Sequence, residues 1–285
     1  MSTSSVLITS RPDSLRSSDR TLGCSDRLST DPQYTLVLSA DPDLIDAAQR
    51  LRHEVFTSEP GFALAPNDTG RDADRFDQYC DHLLVREDAS GQYVGCYRML
   101  PPPGAIAAGG LYTATEFDIT ELDPLRPSLV EMGRAVVRAD HRNGAVVLLM
   151  WAGILAYLDR SGYDYVTGCV SVPVNTPSEP PATVVRGVRD AVARRHASDY
   201  TVRPYRPVQI DGRNLEDIEP PERVSIPPLM RGYLRLGAKV CGEPAHDPDF
   251  GVADFPALLT KQHADVRYLN RLRSVSQAAA LAGGQ

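Results

Sequence analysis

The sequence predicts a mixed α/β chain, and three stretches carry that prediction. In 128–158, β-branched and apolar residues around Val130, Val136 and Val137 read as a strand. A short polar turn follows, and Gly144 opens an apolar run too long for a strand, hence a buried helix. Second, 82–86 and 92–100 flank the turn Ala89-Ser90-Gly91 as a two-strand hairpin. Third, Leu44, Ile45, Ala48, Leu51, Val55 and Phe56 fall on one helical face, as do Val184, Val185, Val188, Ala191 and Val192 within 182–197.

Taken in order, 1–33 is rich in Ser, Thr, Arg and Asp, buries too little surface to offset ordering entropy, and is expected to be disordered. The folded unit is expected over 34–273. Its first strand is 34–38, and Asp41 or Asp43 caps the first helix, with Pro42 favouring its start. Pro60, Gly61, Pro66, Asn67, Asp68 and Gly70 mark 57–75 as a loop. Signals over 111–127 are weak. Val166, Gly168 and Val170 alternate through a strand at 163–170, with Ser171 at its end. The segments 173–181 and 203–228 are Pro-rich and irregular. A C-terminal extension from about 200 adds a short helix at 229–236, a last strand at 255–259 and a closing helix near 265–272, before a frayed tail from 274.

Bulk properties narrow the function. A chain 42% hydrophobic and 24% charged is of globular type. A net charge of −7 argues against a nucleic-acid partner. The five cysteines are scattered, with neither metal-ligand spacing nor a disulfide framework, so a reducing cytoplasm is the expected compartment. No signal-peptide pattern stands at the start. The apolar helix is broken by Gly153 and falls short of the roughly 20 residues that span a bilayer. No zinc, P-loop or nucleophile-elbow motif is present.

The chemistry concentrates around the strand–turn–helix. The first N–H groups of a helix lack internal partners and favour an anion. Gly144, Ala145 and Val146 would present such amides, with Asn143 before them and Arg138 and Arg142 adding charge. An ordinary β–α connection also places glycine at such a turn, and on local spacing that reading comes first. Upstream, Glu131 and Arg134 are three apart, pointing to opposite faces of a regular strand; Gly133 between them suggests a bulge that re-aims both to one site. Asp72, Asp74, Asp77 and Asp81 form an acidic stretch, in which Asp72 reads as solvated. Arg52 lies in the first helix and Arg98 ends a strand. Arg186, Arg189, Arg194 and Arg195 form a solvated face or a dock for an acidic partner.

The turn Arg142-Asn143-Gly144-Ala145 resembles a shortened form of the pyrophosphate-binding turn of the GNAT acyltransferase superfamily. Two branches are closer. Arg52 and Phe56, Asp74 and Asp77, Arg98, and Glu131 with Arg134 match the pattern of acyl-homoserine-lactone (autoinducer) synthases. The match departs at the Trp those synthases carry after the first helix, where this chain has Phe62. The segment from Pro227 through Leu229-Met230-Arg231-Gly232-Tyr233-Leu234-Arg235-Leu236-Gly237-Ala238, then Asp247-Pro248-Asp249-Phe250 and a strand, resembles ornithine N-acyltransferases, which make lyso-ornithine lipid. With gaps the resemblance runs from about 34 to 272.

It implies a GNAT-like mixed, mostly antiparallel sheet with helices on both faces. It implies amide formation between the amine of an amino acid such as ornithine and a 3-hydroxyacyl thioester. The donor would be acyl carrier protein, through its phosphopantetheine, or acyl-CoA, with no permanently bound cofactor and no metal. Glu131 would accept the amine proton, with Arg134 and Arg98 holding a carboxylate or orienting Glu131. Asp74 and Asp77 would bind a cation, with Arg52 bracing them. Residues 143–146 and Arg142 would hold the pantetheine phosphate, and the Val136 amide would polarise the thioester carbonyl. Peripheral membrane contact would come through the lipid product. Autoinducer synthesis, marked by consumption of S-adenosylmethionine, and a non-catalytic carrier-binding module are the alternatives. For the six ionic residues, the competing reading is a buried network that only fixes the fold.

Overall fold

The computed structural model describes residues 5–10, 33–63, 67–142, 144–267 and 270. In chain order it has β1 (Ser5–Ser10), β2 (Tyr34–Ser39), α1 (Pro42–Ser58), β3 (Asp81–Glu87), β4 (Tyr93–Leu100) and α2 (Pro102–Ala107). Then come β5 (Phe117–Asp118), β6 (Leu129–Val137), α3 (Ala145–Ser161), β7 (Tyr165–Pro173) and α4 (Thr183–Arg195). The rest is β8 (Arg203–Pro204), β9 (Gln209–Ile210), β10 (Arg213–Asn214), α5 (Pro228–Leu236), β11 (Lys239–Val240), β12 (Ala245–Asp247) and β13 (Val252–Thr260).

The main sheet runs β1-β2-β3-β4-β6-β7-β13-β11, with β12 also on β13. Among the described residues every neighbouring pair in it is antiparallel except β6–β7. This is the mixed, mostly antiparallel sheet the sequence implied. The helices cover both faces. Asp41 caps α1 by accepting from the Asp43 N–H, and Pro42 stands at its start. The helix lays Ala48, Leu51 and Val55 on Leu84, Cys96 and Val136. On the other face, α3 buries Val146, Leu149, Met150, Trp151 and Ile154 against Leu36, Leu83, Met99 and Val130. Gly153 is a packing residue: a Cβ there would collide with Leu36 and press on Leu83. Burial of so many large apolar groups is the dominant stabilising term. Among the described residues no helix is long and apolar enough to cross a membrane.

Several boundaries differ from expectation. Within the segment expected to be disordered, 5–10 pairs with β2, which the β-prone run Val6-Leu7-Ile8 favours; its other residues below 33 lie outside the described ones. The last strand is longer than 255–259 because it pairs with β7 along all nine residues from Val252 to Thr260. The C-terminal extension therefore completes the main sheet. Of the closing helix only 266, 267 and 270 are described, and the tail from 274 lies outside the described residues.

Candidate active site

Strands β6 and β7 pair at only three positions, Leu129↔Tyr165, Val130↔Val166 and Glu131↔Thr167. Beyond them β6 stays with β4 and β7 stays with β13, so the two part toward their C-terminal ends. At the parting point Gly168 lies against the Met132 carbonyl, where a Cβ would collide with the oxygen. The gap becomes a cavity lined by Arg98, Tyr112, Glu131, Arg134, Tyr233 and Asp254, among others. The α3 N-terminus follows β6 at the open end.

The bulge lies where the sequence placed it. Arg98 pairs with Gly133 and Cys96 with Val136, so Arg134 and Ala135 together oppose Tyr97. The left-handed residue is Arg134 itself, at φ 53°. That conformation costs an L-residue roughly 1–2 kcal/mol. The Arg134 guanidinium is fixed between the Tyr112 and Phe250 rings, 5.0 Å from each centroid.

Six ionic groups close into a ring of alternating charge. Arg52 Nε meets Asp72 at 2.9 Å, Asp72 meets Arg134 Nε at 3.1 Å, and Arg134 Nη2 meets Asp74 at 3.4 Å. Asp74 meets Arg98 Nη1 at 2.6 Å, Arg98 meets Asp77 at 2.9 Å, and Asp77 returns to Arg52 Nη2 at 2.9 Å. Arg52, Asp74, Asp77, Arg98 and Arg134 are thus brought together as expected. Asp72 corrects its solvated reading: it is buried, because two arginines converge on it. Burial alone would raise the Asp77 pKa; Arg52 and then Arg98 outweigh it and hold the carboxyl well below the usual range.

Glu131 is 5% exposed and on the cavity wall, yet both its oxygens are occupied. Oε1 accepts from the Thr113 N–H at 2.7 Å and the Thr113 hydroxyl at 2.5 Å, and Oε2 from the Tyr112 N–H at 2.5 Å. Burial pushes its pKa up, while these hydrogen bonds oppose the shift. A carboxylate so engaged anchors the 112–113 turn and has little left to offer an incoming amine, which weakens the expectation of Glu131 as base.

A second acidic group escaped the sequence reading. Carboxylate oxygens of Glu116, Asp247 and Asp254 lie within 4.8 Å of one another. Asp254 accepts from the Ser171 hydroxyl at 2.6 Å and hydrogen-bonds Glu116, which also bonds Tyr112. Burial and mutual repulsion push Glu116 up to about 8 and Asp254 to about 6. Among the described residues this is the group able to hold a cation, whether an ammonium or a hard metal ion. Its sequence signal was Asp254 inside the apolar strand Val252–Thr260, the same anomaly that drew attention to Glu131. Glu116 stood in the weakly patterned 111–127.

At the mouth, Gly144 caps α3 at φ 87°, and Val146 is buried. Arg142 donates to the Val137 carbonyl at 3.0 Å and pairs with Glu59. Arg138 meets Gln92 at 2.7 Å, Asp140 at 3.2 Å and Glu54 at 3.8 Å. Both arginines are thus tied to carboxylates at the rim. Val136 is buried within the β4–β6 ladder, and Asn143 lies outside the described residues. Of the arginine face on α4, Arg186 is not solvated: it bonds the carbonyls of Leu215, Glu216 and Ile218, and Arg189 pairs with Asp190 and Glu243. Arg194 and Arg195 are exposed.

Known proteins resemble this chain in sequence. The family model of the acetyltransferase (GNAT) domain matches residues 51–152. An L-ornithine N(alpha)-acyltransferase of Rhizobium meliloti (strain 1021) is 37% identical over 237 residues, covering 79% of each chain. Its counterpart in Brucella abortus (strain 2308) is 36% identical, covering 79% of this chain and 84% of that one. Among solved structures, a CoA-dependent acyl-homoserine lactone synthase is 16% identical, with TM-score 0.47, covering 84% of this chain and 92% of that chain. With its parted strands, its glycine-capped α3 and relatives this similar over four-fifths of its length, the chain belongs to the L-ornithine N(alpha)-acyltransferase family and is an N-acyltransferase of the GNAT type.

Proposed function

We propose that this chain transfers a 3-hydroxyacyl group from a phosphopantetheine thioester to the α-amine of L-ornithine, forming the amide of a lyso-ornithine lipid. The observation that carries this reading is the acidic trio Glu116, Asp247 and Asp254 beside the cavity between β6 and β7. Ornithine is a diamine, and three convergent carboxylates suit an ammonium group. Asp247, which also lines a neighbouring cavity with Glu116, would hold the side-chain ammonium. The Glu116–Asp254 pair would accept the α-amine proton, since a shared proton near neutrality is what a general base requires. The amine nitrogen then attacks the thioester carbonyl, the C–N bond forms, the C–S bond breaks, and the thiolate takes up the released proton. Arg134, steered by its bulge and faced by two rings, is the cation for the substrate carboxylate. Arg98 sets Asp74 and Arg52 sets Asp72 and Asp77 around it.

The donor arm would lie in the gap as an added strand, because parted strands leave amides and carbonyls without ladder partners. Residues 143–146 would receive its phosphate. Arg138 and Arg142 would exchange Glu54 and Glu59 for that phosphate. The Val136 amide is the candidate to polarise the thioester carbonyl. Acyl carrier protein and coenzyme A present the same arm. The lipid product would bring the enzyme to a membrane surface.

The test is amine-dependent thiol release from a 3-hydroxyacyl thioester with L-ornithine or with norvaline, which lacks the terminal amine. Ornithine is expected to be favoured at least about a hundredfold in kcat/KM. Equal rates would remove the carboxylate trio from acceptor recognition, and the absence of any amide product would remove the reaction.

A further inference from the structure

Two buried side-chain polar atoms on the wall of this cavity lack a hydrogen bond among the described residues. One is Arg134 Nε, which faces Asp72 as an ion pair. The other is Tyr97 Oη, on a residue only 2% exposed. Buried hydroxyls nearly always find a partner, so an orphan on a cavity wall points to one supplied from outside.

The surroundings of Tyr97 bear on what that partner is. The residue stands on β4 opposite the bulge pair Arg134–Ala135, and its ring meets Trp151 edge-on at 6.4 Å. Across Trp151, Tyr233 of α5 packs edge-on at 5.0 Å. This is the α3 side of the sheet, away from the carboxylate trio. The cavity continues there into a slot lined by Met132, Trp151, Val166, Val170 and Leu259. Those walls are apolar, and the slot is narrow, at about 30 Å³. Tyr97 lines the main cavity together with Met132 and Tyr233, two of the residues that cavity shares with the slot, so on the transfer reading its hydroxyl faces the acyl group near the thioester.

We propose that Tyr97 is a specificity-determining residue whose Oη hydrogen-bonds a hydroxyl carried by the acyl chain close to its thioester. The inference rests on the transfer reading above and adds the residue that separates hydroxylated from plain donors. A site built to pair with a substrate hydroxyl discriminates against the analogue lacking it, because the protein's own group is then left unpaired.

The experiment compares the full chain with its Tyr97→Phe variant, using 3-hydroxyacyl and unsubstituted acyl thioesters of equal length on acyl carrier protein and on coenzyme A. For each donor, kcat/KM is measured with L-ornithine, and the donor-induced rise in Tm is measured without amine. The unmodified protein is expected to favour the 3-hydroxyacyl donor by on the order of tenfold or more. In Tyr97→Phe that ratio falls to about one, through loss with the hydroxylated donor alone. An unchanged ratio, an equal loss with both donors, or no preference in the unmodified protein overturns the assignment. Selective Tm shifts without ornithine amide would instead keep Tyr97 in its role and discard ornithine as acceptor.

Discussion

Two ionic clusters flank the same cavity and are balanced in opposite ways. Arg52, Arg98 and Arg134 alternate with Asp72, Asp74 and Asp77 in a closed ring, and each aspartate touches two arginines. Glu116, Asp247 and Asp254 converge with no such complement, and the cation acting on Glu116 and Asp254 is Arg134, already shared between Asp72 and Asp74. A balanced ring fixes geometry and holds Arg98 and Arg134 at the cavity wall. An unbalanced trio stores repulsion that a shared proton or an incoming cation relieves. Both are acidic or basic residues near one pocket, and only the count of opposite charges separates scaffold from receptor.

The sharpest way to break this contrast is Arg52→Met. Removing one member of the ring leaves Asp72 with Arg134 alone and Asp77 with Arg98 alone, a buried excess of negative charge, and a loss of about 3–5 kcal/mol is expected in urea unfolding. If stability holds while turnover falls, the ring is not scaffolding. Asp254→Asn should do the reverse, cutting turnover by about a hundredfold or more with stability at pH 8 equal to or above the parent's. The two clusters also respond to pH with opposite sign. Asp77, held low in the folded state, contributes stability that is present above the ordinary aspartate pKa near 4 and lost on acidification. Glu116 and Asp254 are raised, so the unfolded chain loses their protons first, and stability falls as pH climbs from about 4 toward about 8. L-ornithine should therefore raise Tm more at pH 8.5 than at pH 5.5, and Asp254→Asn should flatten that difference.

The smallest expected effect is at Glu131. Glu131→Gln places an amide NH2 against the N–H groups of Tyr112 or Thr113, and a cost of roughly 1–3 kcal/mol should appear with kcat of the folded protein little changed. Two orders of magnitude lost from kcat at unaltered stability would return the base role to Glu131.

Much of the fold was legible because its signals are local. Pro42 with Asp41 marks the start of α1, the apolar run after Gly144 marks α3, and Gly133 marks the bulge on β6. Of the six ionic residues expected to act together, Arg52, Asp74, Asp77, Arg98 and Arg134 meet in the ring, and Glu131 lies on the same cavity wall outside it. Their roles were not legible, since a carboxylate in an apolar strand signals burial and not what it pairs with. Glu131 turned out to be held by backbone N–H groups from a segment with almost no periodicity. Asp72 looked solvated because nothing in its own loop reveals that Arg52 and Arg134 converge on it. Glu116 and Asp254 lie 138 positions apart and are joined only when β13 enters the sheet beside β7.

The whole opening hangs on one missing side chain. With only hydrogen at position 168, the Met132 carbonyl can press against its neighbour, and the strands diverge from that contact as from a fulcrum. Anything bulkier would act as a wedge, widening the angle and shifting both walls together. The dimensions of the cleft are thus governed from its vertex, by a position that need never touch either reactant.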